Sequence, residues 1–570
     1  MRRLALALAG LCGALALAFV VLVARAPLAG VDAAVLAALR EGSGLTIAVN
    51  GRAAVTWFPT VEIRIDGVSA ARGDETPFAL AREVVARPRL GALLAGRVEL
   101  AGVTLREPQI ALDRIPFDEV FAALRAAPAR SNMPELRVVD GRLAIDGRSI
   151  EGVTGALVWP SAGRPLAVSA YGTFEGRPVE GAASLADPEA LARGARAPVR
   201  ARLTGGGARV LFDGHALDAE GPRFEGALRM RAASLRQTLR WLGAPAPRRS
   251  APLTGFSLAG EATADRHGLS IANAELDLED HSFLGAGRLT TGGKRPSVEA
   301  TLDAETLDLA PYVDGLAPGV RENGALSSKR FDLAAIQGFD LDLRLSAGTL
   351  TFAGFRFEDV AATVAIADGA LDISVGEASA YGGAVSGRLI VEPRAQDAVA
   401  LRADLSATDV TIEEAFAGGG KEPPIAGALT AEFGVRGEGR SAAEIVGDLE
   451  GRGRLRLADG AIKGFGHNRA LALVGLRGAL AVSSAEANVV VRRGVALTQD
   501  LRAVGSDATL TLAGDARLAA GELKLDGFVR PVEGGWRLPI RVDGPFAAPR
   551  IRPNISLADP QGEARNMGAR

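Results

Sequence analysis

Short runs in which apolar and charged residues alternate are the feature that most limits how this chain can fold. Leu341, Leu343 and Leu345 are separated by Asp342 and Arg344, and similar runs occur throughout the chain. A period of two places apolar side chains on one face of a β-strand and charged side chains on the other. Glycine accounts for 70 of the 570 residues and falls mostly between these runs. The pattern therefore predicts short antiparallel strands separated by turns.

Asp-Gly pairs predict the positions of turns, because both residues tolerate the backbone angles of tight hairpins. The pairs are Asp140-Gly141, Asp146-Gly147, Asp213-Gly214, Asp368-Gly369, Asp459-Gly460, Asp526-Gly527 and Asp543-Gly544. Helical spacing, with apolar residues three and four positions apart, is confined to short segments. These segments are Val31–Arg40, Glu119–Ala126, Leu235–Leu242, Ile412–Phe416 and His467–Leu476. We therefore expect a mainly β fold, an elongated antiparallel β meander or groove with a few short helices, rather than a parallel α/β enzyme.

The N-terminal residues 1–25 predict a single transmembrane helix. Leu4 to Val23 carries no charge and has the length of about 20 residues that a membrane-spanning helix needs. Arg2 and Arg3 favour a cytoplasmic N-terminus, so the rest of the chain is expected outside the cytoplasm. A cleaved signal peptide ending at Ala24-Arg25-Ala26 and a lipoprotein signal at Cys12 are the alternatives, and both place the body on the same side.

The charge and motif content argues against several functional classes. The formal net charge of -2 lacks the basic excess of a nucleic-acid-binding protein. The single cysteine, Cys12, excludes an internal disulfide and a cysteine-based metal site. The four histidines are scattered, and no metal, phosphate-binding or nucleophile motif is present. We therefore predict no catalytic residues, no metal site and no cofactor.

Two carboxylate pairs, Asp340/Asp342 and Asp277/Glu279, have the composition of an acid–base pair acting on a glycan. Each lies on the polar side of an alternating strand, where a solvated surface is the commoner reason for such a pair. An enzyme acting on glycan or lipid is consequently the least favoured functional class.

Several segments resemble the AsmA family of bacterial envelope proteins. They are Leu45-Thr46-Ile47, Trp57 to Ile63, Asp66-Gly67-Val68, Leu90 to Gly96, Leu105 to Ile110, Asp368 to Leu371, Tyr381-Gly382-Gly383, Leu457 to Gly464 and Leu538 to Pro545. Their order along the chain is more specific than any one of them. The resemblance implies an inner-membrane anchor, a β-rich periplasmic body and a role in outer-membrane biogenesis, with a relationship to bridge-like lipid carriers.

On that basis we expect a single-pass protein of the bacterial inner membrane with most of the chain in the periplasm. We expect it to be non-enzymatic and to shelter or transfer phospholipid along an apolar β groove. Outer-membrane or envelope assembly proteins are further candidate partners. The groove candidates are Leu341, Leu343, Leu345, Leu350, Phe352, Leu371, Ile373 and Val375. Two alternatives stay open: the apolar faces form a closed sandwich core, and the protein is a scaffold that regulates protein targeting or assembly at the membrane without carrying lipid.

The predicted organisation has five segments. They are an anchor at 1–25, an N-terminal AsmA-like β region at 26–160, a middle β region at 161–330, a C-terminal AsmA-like β domain at 331–549 and a flexible tail at 550–570.

Overall fold

A computed structural model gives the fold of most of the chain. It describes residues 46–56, 60–71, 76–94, 99–111, 134–145, 147–161, 163–218, 221–243, 254–310, 326–331, 336–417, 422–465, 478–532 and 536–554. The predicted anchor and the predicted helices Val31–Arg40, Glu119–Ala126 and His467–Leu476 lie outside these residues. Within the described part, none of the helices combines the length and the hydropathy that crossing a bilayer requires.

The chain forms two compact units. Unit 1 comprises Met1–Ala246 and Leu253–Lys294, and unit 2 comprises Pro247–Pro252 and Arg295–Arg570. This division differs from the five segments predicted from the sequence, whose boundaries depended on recognisable motifs rather than on contacts between strands.

Unit 1 is built almost entirely of β-strands. They are β1 (Thr46–Val49), β2 (Ala53–Thr56), β3 (Glu62–Ala71), β4 (Ala79–Pro88), β5 (Leu100–Arg106), β6 (Gln109–Ala111), β7 (Glu135–Ile145), β8 (Arg148–Val158), β9 (Leu166–Phe174), β10 (Arg177–Leu185), β11 (Ala197–Gly205), β12 (Ala208–Leu217), β13 (Arg223–Ala232), β14 (Phe256–Asp265), β15 (Gly268–Leu278) and β16 (His281–Thr290). Its helices in the described residues are α1 (Leu90–Leu94), α2 (Pro188–Ala192) and α3 (Leu235–Trp241).

Unit 2 has the same character. Its strands are β17 (Ser297–Asp308), β18 (Asp340–Phe352), β19 (Phe355–Ala367), β20 (Ala370–Ala380), β21 (Gly383–Pro393), β22 (Val399–Thr411), β23 (Ile425–Gly439), β24 (Glu450–Lys463), β25 (Ala479–Arg492), β26 (Val495–Gly505), β27 (Ala508–Arg517), β28 (Glu522–Pro531), β29 (Leu538–Pro545) and β30 (Arg550–Pro553). Two short helices, α4 (Ile412–Phe416) and α5 (Ala442–Asp448), accompany them. The mainly β prediction is confirmed, and so are the predicted helices at α3 and α4.

Strands that follow one another in the chain mostly pair antiparallel, as a meander requires. The parallel pairs β5–β7, β6–β7 and β17–β18 depart from this prediction. Residues 309–339 connect β17 to β18, and this length is enough for the crossover that a parallel pair needs.

The Asp-Gly pairs are turns at only some of the predicted positions. Asp368-Gly369 joins β19 to β20, and Gly147 lies in the turn between β7 and β8. The pairs beginning at Asp140, Asp213, Asp459, Asp526 and Asp543 lie within strands instead. A Cβ atom at Gly214 or Gly527 would overlap a carbonyl group of the neighbouring strand. Glycine is therefore needed there for close approach of two strands rather than for a turn.

Each unit contains a closed apolar core. In unit 1 this core runs from β4 to β12 and includes Leu136 and Leu157, which are 0% and 1% exposed. In unit 2 it runs from the end of β24 to β30 and includes Leu510 at 2% and Val529 at 0% exposure. The last strand, β30, pairs with β29 and contributes Ile551 to this core. Residues 550–553 are thus part of the fold rather than of the predicted flexible tail, and the rest of that tail from residue 555 lies outside the described residues.

Candidate functional site

The strand register of unit 2 joins the predicted alternating runs into one apolar face. One row of directly paired residues crosses β17 to β23 as Ala300, Leu343, Val364, Ile373, Leu389, Ala403 and Val435. The next row crosses the same strands as Leu302, Leu345, Ala362, Val375, Gly387, Leu405 and Phe433. Because paired residues share a face of the sheet, neither row is interrupted by a charged side chain. We call this surface the apolar face.

The residues between these rows form an opposite, polar face. Arg388 donates to Asp372 with its Nε at 3.0 Å, and Arg402 donates to Asp404 at 3.1 Å. The hydrogen bond from Arg388 holds the pKa of Asp372 below its ordinary value. The first pair joins β21 to β20, the second lies within β22, and each contributes only modestly to stability because it is exposed. They keep charge on one face and leave the other free of it.

The apolar face of β17 to β24 is more open than the closed core of the same unit. Leu343, Ile373 and Val435 are only partly buried, and Leu405 is 53% exposed. Apolar side chains of this size are nearly always covered when they form a folding core, as Val529 is in β28. A contiguous apolar surface left open in this way is typical of a binding site.

The structure brings together six of the eight predicted groove residues. Leu341, Leu343 and Leu345 on β18 share the apolar face with Leu371, Ile373 and Val375 on β20, through β19 between them. From Leu341 to Ala347, β18 pairs without a break with both neighbours.

Leu350 and Phe352 lie beyond Gly348, where the strict alternation of β18 breaks. Ala347 and Leu350 are three positions apart and both are buried, as are Ala304 and Leu307 on β17. Phe352 lies opposite Phe355, and the Phe355 ring contacts the edge of Phe416 from α4 at 6.1 Å between centroids. Phe352 therefore lies next to an aromatic pair at the end of β18.

Several residues of the apolar face were not singled out from the sequence. Leu389, Leu405 and Phe433 extend it across β21, β22 and β23. The signal was present for two of them, because Leu401 to Leu405 alternates with charged residues and Ala431 to Arg436 alternates with charged residues and a glycine. In β21 the run Leu389-Ile390-Val391 is apolar throughout, and only the register shows which of its residues share the face.

A trough of about 750 Å³ crosses six strands of unit 2. Its lining takes three consecutive residues from each of β20 to β25, namely 374–376, 386–388, 404–406, 432–434, 452–454 and 488–490. The next residues of the apolar face, such as Ile373 and Val435, do not line it. The first and third residues of each triplet therefore form its walls on the polar face, and the middle one supplies backbone between them. We call this feature the polar trough.

The carboxylate pairs have structural partners. Ser257 and Ser282 donate to Asp277 at 2.7 and 2.8 Å, and these hydrogen bonds hold its pKa below the ordinary value. Glu279 accepts a hydrogen bond from the backbone N–H of Thr254 at 2.8 Å. Asp340 lies 3.9 Å from the guanidinium of Arg295. No group of three potential metal ligands occurs in the described part of the chain.

Comparison with known proteins gives one family. Residues 320–500 match the AsmA family. This segment contains β18 to β25 and therefore most of the open apolar face. No curated protein and no solved structure gives a significant match to the chain.

Proposed function

Residues 320–500 match the AsmA family, and on that premise we propose that this chain is a non-enzymatic envelope factor whose apolar face shelters the acyl chains of phospholipid. The observation that carries the proposal is the uninterrupted apolar face of β17 to β24, which the strands leave partly exposed. An anchor at Leu4 to Val23 in the inner membrane and a periplasmic body are parts of the same proposal.

Energetics favour an apolar ligand on this face. Removing apolar surface from water stabilises a complex by about 25 cal/mol per Å², so an acyl chain of a dozen methylenes gains several kcal/mol. Adjacent strands lie about 4.8 Å apart, and the face from β17 to β24 is therefore on the order of 35 Å wide across the strands. That width exceeds the length of a single acyl chain.

Site-specific photo-crosslinking tests the proposal in the full chain within cells. A photoreactive amino acid at Leu343 or Ile373 is expected to yield covalent lipid adducts that mass spectrometry of the purified protein identifies. The matched control is Arg344, which lies between two groove residues on β18 but on the polar face. Lipid adducts at Arg344 as abundant as those at Leu343, or none at any apolar-face position, would contradict the proposal.

The second candidate function is a scaffold that regulates protein targeting or assembly without carrying lipid. This function is favoured where helices of the chain itself cover an apolar surface, because such a surface has no room for lipid. In unit 1, α3 covers an apolar surface in this way. Trp241 of α3 is 6% exposed, and its Nε1 donates to the carbonyl oxygen of Phe174 at 2.8 Å. Crosslinking from Leu343 to protein alone would favour this function over lipid carriage.

A further inference from the structure

The polar trough is separate from the apolar face and has its own chemistry. Its floor is strand backbone, and its walls include the hydroxyls of Ser386 and Ser406, which are paired in register on β21 and β22. Its volume of about 750 Å³ lies within the range of pockets that hold small molecules. A ligand there would contact mostly polar side chains, which disfavours acyl chains.

Basic charge is concentrated at the β24 end of the trough. Arg452, Arg454 and Arg456 occupy alternate positions of β24 and therefore share the polar face. Arg456 donates to Glu486 through Nε and Nη2 at 2.9 and 2.7 Å, so its charge is balanced. It also lies outside the lining of the trough.

The two arginines of β24 that do line the trough are less engaged. Arg452 is paired in register with Gly434 and Val490, and it makes no ion pair in the described part of the chain. Arg454 has only a long hydrogen bond of 3.4 Å to Asn488. Among the described residues, their guanidinium groups are the basic groups of the trough that no carboxylate neutralises directly.

Two carboxylates also face the trough. Asp404 accepts a hydrogen bond from Arg402 at 3.1 Å, and its Oδ1 lies beside Gly434 of the next strand. Glu432 is paired in register with Arg454, yet the two side chains form no salt bridge within 4 Å. Arg388, the third arginine of the lining, donates a hydrogen bond to Asp372, which balances its charge. Glu432 is thus the acidic group that competes most directly with an anion for Arg454.

We propose that the polar trough binds a phosphate ester of a polyol, with the phosphate on Arg452 and Arg454 and the hydroxyl-bearing part toward Ser406 and Ser386. Planar guanidinium groups bind phosphate oxygens through paired, charge-assisted hydrogen bonds, which makes arginine well suited to this ligand. About five strand spacings of 4.8 Å separate β20 from β25, so the trough has room for more than the phosphate alone.

Calorimetric titration of the full chain in detergent micelles with glycerol 3-phosphate tests the site. Saturable binding is expected, and R452Q or R454Q weakens it about tenfold because each removes a charge-assisted contact. R456Q, on the same strand and face but bonded to Glu486, serves as the control and changes affinity less than about threefold. E432Q is expected to strengthen binding, an outcome that misfolding cannot produce.

The source of the phosphate ester follows from competition in mixed micelles. Displacement of glycerol 3-phosphate by phosphatidylglycerol, but not by phosphatidylcholine, identifies a lipid headgroup as the ligand. If glycerol 3-phosphate stays bound in the presence of both lipids, the natural ligand is identified as a soluble polyol phosphate. Absence of saturable binding by the wild-type chain, or equal losses in R452Q and R456Q, would overturn the proposal. The variant L343D keeps glycerol 3-phosphate binding, because it alters the other face, so this site and lipid carriage are tested independently.

Discussion

At the scale of single residues, Gly206 shows why one position accepts only glycine. It lies in the turn between β11 and β12 with a φ of +60°, and a Cβ atom there would overlap the Trp241 ring. Trp241 also packs edge-on against Phe174, with 5.3 Å between the ring centroids. The absence of a side chain at Gly206 is what allows α3 to lie against the end of this hairpin.

We therefore expect G206A to lower the free energy of unfolding by at least about 2 kcal/mol, from the left-handed backbone and the displaced indole. Gly207 is the matched control, since its φ is +84° but nothing lies within 4 Å of an added Cβ atom. G207A is expected to cost only about 1 kcal/mol. Thermal unfolding measures both, and equal losses would show that Trp241 does not depend on Gly206.

Asp526 connects three parts of the closed core of unit 2. Arg541 donates to it at 2.7 and 3.1 Å, and Asn554 donates at 2.8 Å. The hydrogen bond from Arg541 holds the pKa of Asp526 below its ordinary value. A lowered pKa means that the ionised carboxylate stabilises the fold fully above the pKa of the unfolded chain, about 4. This contribution is lost as the pH falls through the folded-state pKa.

The variant D526N is expected to reduce protection of β28 to β30 at pH 7 by roughly 1 kcal/mol, a value limited by partial solvent exposure. Hydrogen exchange of the peptides from Glu522 to Asn554 measures this protection. D342N, at an exposed position of β18, is the control and leaves protection unchanged. The difference between D526N and wild type shrinks at pH 3; a constant difference would contradict the role of ionisation.

At the scale of elements, aspartates in the left-handed conformation interrupt regular pairing within strands. Asp140 and Asp409 both have a φ angle of 55°. The backbone N–H of Asp140 donates to the hydroxyl of Thr154 at 3.3 Å, and that of Asp409 donates to Thr430 at 3.2 Å. Each lies at a register shift with the next strand. A short polar side chain tolerates this backbone and bends the strand locally.

We expect D409V to destabilise β22 and β23 by about 1–2 kcal/mol, because a β-branched residue resists a positive φ. D409G keeps the bulge, since glycine adopts this conformation freely, and loses only the contact between the Asp409 carboxylate and Thr430. Hydrogen exchange of β22 and β23 separates the two variants. Similar losses in both would show that the carboxylate, rather than the backbone conformation, holds the bulge.

At the scale of the whole molecule, unit 2 combines two degrees of apolar burial. Strands β25 to β30 build the closed core, whereas several apolar side chains on the apolar face of β17 to β24 stay partly exposed. Leu510 and Leu405 represent the two conditions, at 2% and 53% exposure. The first has been removed from water by folding alone, and the second keeps apolar surface available for a ligand.

A charge placed on each surface should separate stability from binding. L510D is expected to cost more than about 4 kcal/mol because it buries a carboxylate without a partner. L405D is expected to change the free energy of unfolding by less than about 1 kcal/mol and to reduce the lipid adducts formed from Ile373. Urea denaturation and crosslinking measure the two effects. Loss of folding in L405D would assign this face to the core.

The sequence by itself determined the strand class and the two-sided character of most strands. Alternation is a property of the extended backbone, so Leu341, Leu343 and Leu345 share a face wherever their strand pairs. The short helices at Leu235 and Ile412 also followed from local spacing, and the resemblance to the AsmA family is confirmed over residues 320–500.

Only the tertiary structure decided which strand faces join and which of them stay open. Register depends on the neighbouring strands, and it unites Leu389 and Phe433 with the predicted residues. Whether Asp459-Gly460 forms a turn or lies inside a strand depends likewise on how the next strand pairs. Burial is a sum over contacts from many strands, and for that reason no single run of residues could show that Val529 is enclosed and Leu405 is not.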